Sequence, residues 1–518
     1  MKKITPYLIP SIADLIFVIL LLIMSISWGQ KLLGDCDTGY HIRAGEYILQ
    51  TLSVPKYDLF SFYAPDLSWT AHEWLSEIVM ALVHSQLGLT GVVAFFSFVL
   101  ALTYYILFKS LKSNNYNFWL LLVIILLVIS SSSFHWLARP HVFTLLLFVI
   151  WYHFLDKFQY QDKHHYLLLF PPIMLLWVNL HGGFIIGFVL LGIYFLGNAF
   201  FWLRDQEEDR KRHYKKCKVL FLIGFVCLLV SLINPYGFHI LLFPFNLVGD
   251  KFLMSVVSEF LPTNLQHAHP YNFYLFLTLA VLMISRTRVN AIELVLILLF
   301  IYMSLYSIRY ITLFVIIAAP IVLKRMDMWV RESNSRIIRF LNRRSDSIAE
   351  TDYMARGFFW PAAATIFVFL LIMTGRVEHY FDSTKKPVSA VKFLKDEHIS
   401  GNMFNNDEFG DYLIYAAYPQ YMVFMDGRSD MYGVEHVRQY IKVRGLGAGW
   451  EKVLEEHDIN WIFFDADSLL SRYLLDREDW HLIYADKVAH IYVRDIPEYE
   501  YLIEKYPDVE PVVYAKEE

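Results

Sequence analysis

The segment "GDCDTGYHIRAGEYI" (residues 34–48) sets two carboxylates, Asp35 and Asp37, one residue apart and follows them with His41. Carboxylates and imidazoles in such company do two kinds of chemistry: they take a proton from a hydroxyl nucleophile, and they bind a divalent cation through oxygen and nitrogen. "TAHEWLSE" (70–77) adds His72 and Glu73. Asp35, Asp37, His72 and Glu73 are thus a candidate ligand set for a metal such as Mg or Mn, the remaining carboxylate acting as base. The spacing is not diagnostic, because carboxylates one residue apart also occur as ordinary solvated loop residues. A second group comprises Arg139 and His141 of "HWLARPH", His181 of "NLHGG" and Arg309 of "SIRY". Arginine clamps a phosphate with two parallel hydrogen bonds; it also snorkels at helix ends. "NLHGG" reads as a tight helix–helix turn with Gly182 and Gly183 in unusual backbone angles, and "NPYG" as a helix stop and turn.

The elements that position these residues are apolar. The chain has 518 residues, 56% hydrophobic and only 18% charged, and its mean hydropathy is +0.40, too apolar for an ordinary soluble globule. Eleven stretches match a membrane-spanning helix of roughly 20 residues, some shorter: 7–28, 88–108, 117–134, 141–156, 165–180, 183–203, 218–234, 270–285, 290–306, 308–323 and 357–376. The first exceeds a signal-peptide core and lacks a small-x-small cleavage site, so it reads as a retained helix. Orientation follows from positive charge. With a cytoplasmic N-terminus, the cytoplasmic side receives Lys2, Lys3, Arg356, "KSLKSNN", "KFQYQDKHH", "RDQEEDRKRHYKKCK" and two further basic segments. Before residue 376 the opposite side keeps only Lys31, Arg43, Lys56, Arg139, Lys251 and Arg309. This predicts a polytopic domain over 1–376 with a first outer loop at about 29–87, and an extracytoplasmic domain over 377–518.

From Ser389 onward short β-type runs alternate with amphipathic stretches, which predicts a small α/β domain. "MDGRSD" around Asp426, Arg428 and Asp430 reads there as a strand end with a salt-bridged turn. No basic tract is interleaved with aromatics, so nucleic-acid binding has no support. Cys36, Cys217 and Cys227 have no metal-ligand spacing.

On this topology the polar clusters all fall at outer helix ends or in outer loops. The span interiors are nearly free of ionisable residues; Asp14 and Glu293 are exceptions, and both fall near cytoplasmic helix ends. A secondary transporter instead gathers binding groups at the bilayer midplane. The amphipathic stretch 72–84 could lie along the membrane surface.

The motifs "DCDTGYHIRAGEYIL", "VPKYDLFSF", "WTAHEWLSE", "ARPHVFT", "WVNLHGGF", "INPYG", "NNDEFGDYLIYAAYP" and "FMDGRSDMYG" resemble, in their order, a group of bacterial polytopic proteins placed among GT-C type glycosyltransferases, with an RgtA/B/C/D-like or oligosaccharyltransferase-like membrane domain. The resemblance covers nearly the whole chain. It implies a bacterial cytoplasmic-membrane enzyme that takes a sugar or glycan from a polyprenyl-phosphate donor and delivers it to a glycan, lipid or protein acceptor outside the cytoplasm. It also implies an essential acidic residue in the first outer loop, a position that Asp35 or Asp37 matches, and in some members a divalent metal. Asp37 is the leading base, Asp35 its metal-binding or orienting neighbour, and the reverse assignment stays open. Glu73 and His72 would complete the metal or acceptor site, with Arg139, His141, Arg309 and His181 toward the carrier phosphate. No WWD-type motif is present, against transfer to asparagine. Two other readings stand beside the enzyme: a non-catalytic scaffold for envelope protein partners, and a lipid or polysaccharide transporter.

Overall fold

The computed structural model describes residues 5–63, 65–267, 269–355 and 357–512; Lys2, Lys3 and Arg356, used above for orientation, lie outside the described residues, as does the end of the 377–518 segment. The chain forms two compact units. One comprises Met1–Gly29 with Thr90–Glu378; the other comprises Gln30–Leu89 with His379–Glu518. The loop expected at about 29–87 therefore groups with the C-terminal segment, not with the apolar helices that flank it in sequence.

The first unit is helical, and helices overlap all eleven apolar stretches. Among the described residues, length and composition qualify four helical segments to cross a membrane: Trp74–Lys112, Phe118–His135, His141–Gln161 and Gly182–Arg204. A fifth would be Arg336–Met354 with Phe359–Met373 if that pair, bent by 69°, is one span; other apolar helices, such as Pro270–Ile284 and Ala291–Tyr306, are shorter. The stretch 72–84 enters the first of two helical pieces of Trp74–Lys112, which break at Gly88 (φ 62°, ψ −162°), a conformation that a side chain would oppose.

Asp14 and Glu293 each cap a helix start, and Glu293 also pairs with Lys324 and Arg325. The Ser11 hydroxyl accepts from Asp14 N and the Asp14 carboxylate accepts from Ser11 N; Asn290 and Glu293 repeat the pattern, so each carboxylate satisfies an orphan N–H at a helix start. Gly197 lets Ile185–Arg204 approach Ala291–Tyr306, since a Cβ there would lie 2.2 Å from Ile292 Cγ1. The "NPYG" turn has Gly237 at φ 56°, with Asn234 Oδ1 accepting from Tyr236 N. The "NLHGG" expectation is corrected: Gly182 and Gly183 form a short 3-10 turn and neither has positive φ. Space decides Gly183, where a Cβ would sit 2.5 Å from Thr144 Oγ1.

The second unit contains one four-stranded sheet, β1 (Asn402–Asn405), β2 (Ile459–Asp465), β3 (Trp480–Ala485) and β4 (Ala489–Arg494), in the order β1-β2-β4-β3. β1 pairs parallel to β2; β4 pairs antiparallel to both β2 and β3. "DEFGDYLIYAA" is a helix, Asp407–Ala417, capped by Asn406. "YMVFMDGR" joins no sheet strand: Val423 forms an isolated bridge with Ser61, its N–H donating to Phe60 O while Phe62 N donates to its carbonyl. Pairing with the loop replaces the strand that the sequence predicts.

Candidate functional site

Asp37 is the first residue of the helix Asp37–Thr51, where a carboxylate faces the positive end of the helix dipole. Two glycines on this helix permit close packing within the second unit. A Cβ at Gly39 would lie 2.6 Å from Tyr415 Cβ, and one at Gly45 would lie 2.0 Å from the Glu77 carbonyl oxygen. The helix is thus flush against Asp407–Ala417 on one side and the start of Trp74–Lys112 on the other.

That packing sets Asp37 against Asp411. A Cβ at Gly427 would be 2.8 Å from Asp37 Oδ1 and 3.0 Å from Asp411 Oδ2, so both carboxylates converge on the space that the glycine leaves open. Gly427 N donates to Asp411 Oδ1 at 3.0 Å. Asp411 is buried and Asp37 half-buried. Burial, followed by the charges of Asp37 and Asp426, raises the Asp411 pKa well above the ordinary carboxylate range, and the hydrogen bond to Asp37 adds to the rise. Burial and the neighbouring carboxylates thus favour the protonated form of Asp411 beside the more accessible Asp37.

The backbone around Gly427 is fixed from two directions. Asn405, buried at the end of β1, accepts from Phe424 N at 2.8 Å and donates to Met425 O at 2.7 Å. Arg428 is buried and donates to Asp426 through Nε and Nη2, at 2.8 and 2.6 Å, and pairs with Asp58 at 2.9 Å. Its guanidinium lies over Phe60 and Trp69, 4.9 and 4.7 Å from the ring centres, and Tyr432 Oη donates to Asp426 at 2.7 Å. Asp58 accepts from the N–H groups of Phe60 and Ser61 and from the Ser61 hydroxyl. The salt-bridged turn expected at "MDGRSD" is present, but its second carboxylate comes from "VPKYDLFSF".

One turn beyond Asp37, His41 meets Glu77 at 3.2 Å through Nδ1 and Glu73 at 3.6 Å through Nε2; His72 Nε2 lies 3.7 Å from the other oxygen of Glu73. Asp35 lies in the field of Lys386, which pairs with Glu408; burial opposes the Lys386 charge, but the carboxylates of Glu408 and Asp35 favour it and its pKa is raised. Among the described residues no group of three or more His, Cys, Asp or Glu side chains is placed to hold a metal ion. The expected set Asp35, Asp37, His72 and Glu73 is thus not assembled as a cage: Asp37 turns to Asp411, and Glu73 to two histidines. These residues do not fit a divalent metal as they stand.

The residues expected to meet a phosphate lie in the first unit. Arg139 and Arg309 converge on Glu259, Arg139 Nη1 at 2.5 Å from Oε1 and Arg309 Nε at 3.5 Å from Oε2. Burial alone would raise the Glu259 pKa, but the two guanidiniums outweigh it and hold the carboxyl well below its usual range. His141 Nε2 bonds to the His135 carbonyl at 2.9 Å. His181 Nδ1 accepts from Gly183 N at 2.9 Å and bonds to the Thr144 hydroxyl at 2.8 Å, while Trp177 Nε1 donates to Thr144. Acceptance at Nδ1 places the His181 proton on Nε2.

Among solved structures, the chain is similar to the oligosaccharyltransferase of Archaeoglobus fulgidus in the apo form, with a TM-score of 0.55 and 12% identity over 94% of this chain and 74% of that one. The chain has the GT-C fold. The same archaeal enzyme bound to an inhibitory peptide and a dolichol-phosphate matches with a TM-score of 0.54 and 11% identity, over 88% of this chain and 69% of that one. Its complex with Zn and sulfate gives 0.55 and 12%, over 88% and 68%. No protein-family model and no curated protein matches the sequence. The fold implied by the motifs is therefore the one found.

Sequence reading missed Asp411, Gly427 and Asp58 as site residues. The available signal was the quoted motifs that contain them, "NNDEFGDYL", "FMDGRSDMYG" and "VPKYDLFSF"; nothing in their local spacing shows that they close on one another.

Proposed function

We propose that this chain is a membrane glycosyltransferase that moves a sugar or glycan from a polyprenyl-phosphate-linked donor to an acceptor on the extracytoplasmic face. The proposal includes the topology read from charge: eleven spans in a bacterial cytoplasmic membrane, a cytoplasmic N-terminus, and an extracytoplasmic segment after 377. The observation that carries it is the Asp37–Asp411 pair on a GT-C fold. A transferase needs a carboxylate that is ionised, oriented and reachable. Asp411, whose pKa is raised, orients Asp37 through the hydrogen bond between them, and partial exposure makes Asp37 reachable.

In the proposed step, the acceptor hydroxyl gives its proton to Asp37 as its oxygen bonds to the anomeric carbon. The bond from that carbon to the carrier oxygen breaks, and its electron pair leaves with the phosphate. Arg139 and Arg309, which converge on Glu259, are the residues proposed to bind phosphate. No step is routed through a metal. The dolichol-phosphate bound to the archaeal relative supports a polyprenyl carrier.

One observation favours the scaffold reading: Glu73, Arg139 and Arg309 are each engaged in ion pairs. Replacing Asp37 with Asn separates the two. Cells carrying only D37N should accumulate a lipid-linked sugar and lose a glycosylated envelope product by mass spectrometry, with the protein present at wild-type level. Unchanged glycans in that strain would leave the scaffold.

A further inference from the structure

A cavity of about 590 Å³ lies in the first unit, between the helices Trp74–Lys112 and His141–Gln161. Helical spacing builds its walls. Tyr105, Lys109 and Ser113 recur every four residues along the first helix and just past its end, and His153, Lys157 and Gln161 do so along the second, so each set shares a face. Lys163 closes the polar side. Leu102, Ile106 and Phe358 form the apolar side.

The charge of the lining is one-sided. Among the described residues, three lysines and a histidine line the cavity and no carboxylate does. Neighbouring side chains position the lysines: Lys157 Nζ donates to Ser113 Oγ at 2.8 Å and Lys109 Nζ to Tyr105 Oη at 3.1 Å, while Ser110 Oγ lies 2.5 Å from His153 Nδ1. Each ammonium keeps further N–H donors beyond these bonds. Lys109 also lies 5.3 Å from the centre of the Phe358 ring, at the junction of the polar and apolar sides. A bias of basic residues toward one membrane side needs only solvated lysines; here Lys157 is only 8% exposed and lines a cavity.

We propose that this cavity binds a phosphate group, with the apolar wall taking the chain of an anionic lipid whose headgroup reaches the lysines. Basic pockets between membrane helices recognise anionic headgroups in this way. The site is independent of Asp37 and of the transfer reaction.

Native mass spectrometry of the full chain in detergent, titrated with phosphatidylglycerol and with phosphatidylcholine, tests the proposal, and calorimetry with inorganic phosphate distinguishes the source. The wild type should prefer phosphatidylglycerol, and K109Q/K163Q should weaken that binding about thirtyfold, near fivefold per lysine. K109R/K163R should restore it, which separates charge from folding. Binding of phosphatidylglycerol without inorganic phosphate identifies a lipid headgroup; binding of both shows that the phosphate alone suffices, and a soluble phosphate ester is then also accommodated. Equal affinity of K109Q/K163Q and wild type for phosphatidylglycerol, or equal binding of the two lipids, overturns the proposal.

Discussion

Arg428 reaches Asp58 at 2.9 Å while holding Asp426 through two hydrogen bonds, so one buried guanidinium joins the first-loop motif "VPKYDLFSF" to "FMDGRSDMYG" of the C-terminal segment. Removing it leaves two buried carboxylates without their cation. R428M should therefore destabilise the protein by about 3–5 kcal/mol, read as a lower thermal midpoint of the full chain. The double variant R428M/D58N should recover part of that loss, because one stranded charge is gone. A midpoint for R428M equal to wild type would show that the ion web does not hold the loop.

Asp411 gives the fold a pH dependence of predictable sign. Its pKa is raised by burial and by the charges of Asp37 and Asp426, so the folded chain keeps a proton that the unfolded chain releases near pH ~3.9. The associated stabilisation is complete below that value and is lost as pH rises toward the folded pKa, at a slope of at most about 1.4 kcal/mol per pH unit. Asn at this position is always neutral and can still accept from Gly427 N. Thermal midpoints measured across pH should show wild type falling relative to D411N as pH increases; parallel curves would mean that Asp411 is ionised in the fold.

Glycine substitutions separate close packing from helix propensity. At Gly45 a Cβ would meet the Glu77 carbonyl oxygen at 2.0 Å, a backbone atom that cannot rotate away, so G45A should cost roughly 1–3 kcal/mol or more. Gly192, inside Ile185–Arg204, has nothing within 4 Å of its Cβ position. G192A should be neutral or stabilise by up to ~1 kcal/mol. Thermal midpoints of the two variants decide, and the reverse order would contradict the packing described.

Local rules sufficed for much of the architecture. Continuous apolar runs predicted the helices, and the alternation after Ser389 predicted the small sheet, because both patterns repeat over a few residues. What failed was partnership across long separations: Asp411, Asp58 and the neighbours of Glu73 are set by tertiary packing, which spacing does not encode. The two glycines of "NLHGG" failed for a related reason. Turn chemistry accounts for a glycine by its backbone angle, whereas Gly183 is there because Thr144 leaves no room for a methyl group.

The second unit is assembled from two pieces of chain with Thr90–Glu378 synthesised between them. At roughly 5–20 residues per second, translation of that interval takes tens of seconds. Throughout it, Asp58 waits for Arg428 and Asp37 for Asp411, so the first loop is a nascent client with its recognition surfaces uncovered. Any stop codon before β1 would strand it in that state, and quality-control proteases would meet an unfinished loop long before they met an inactive enzyme.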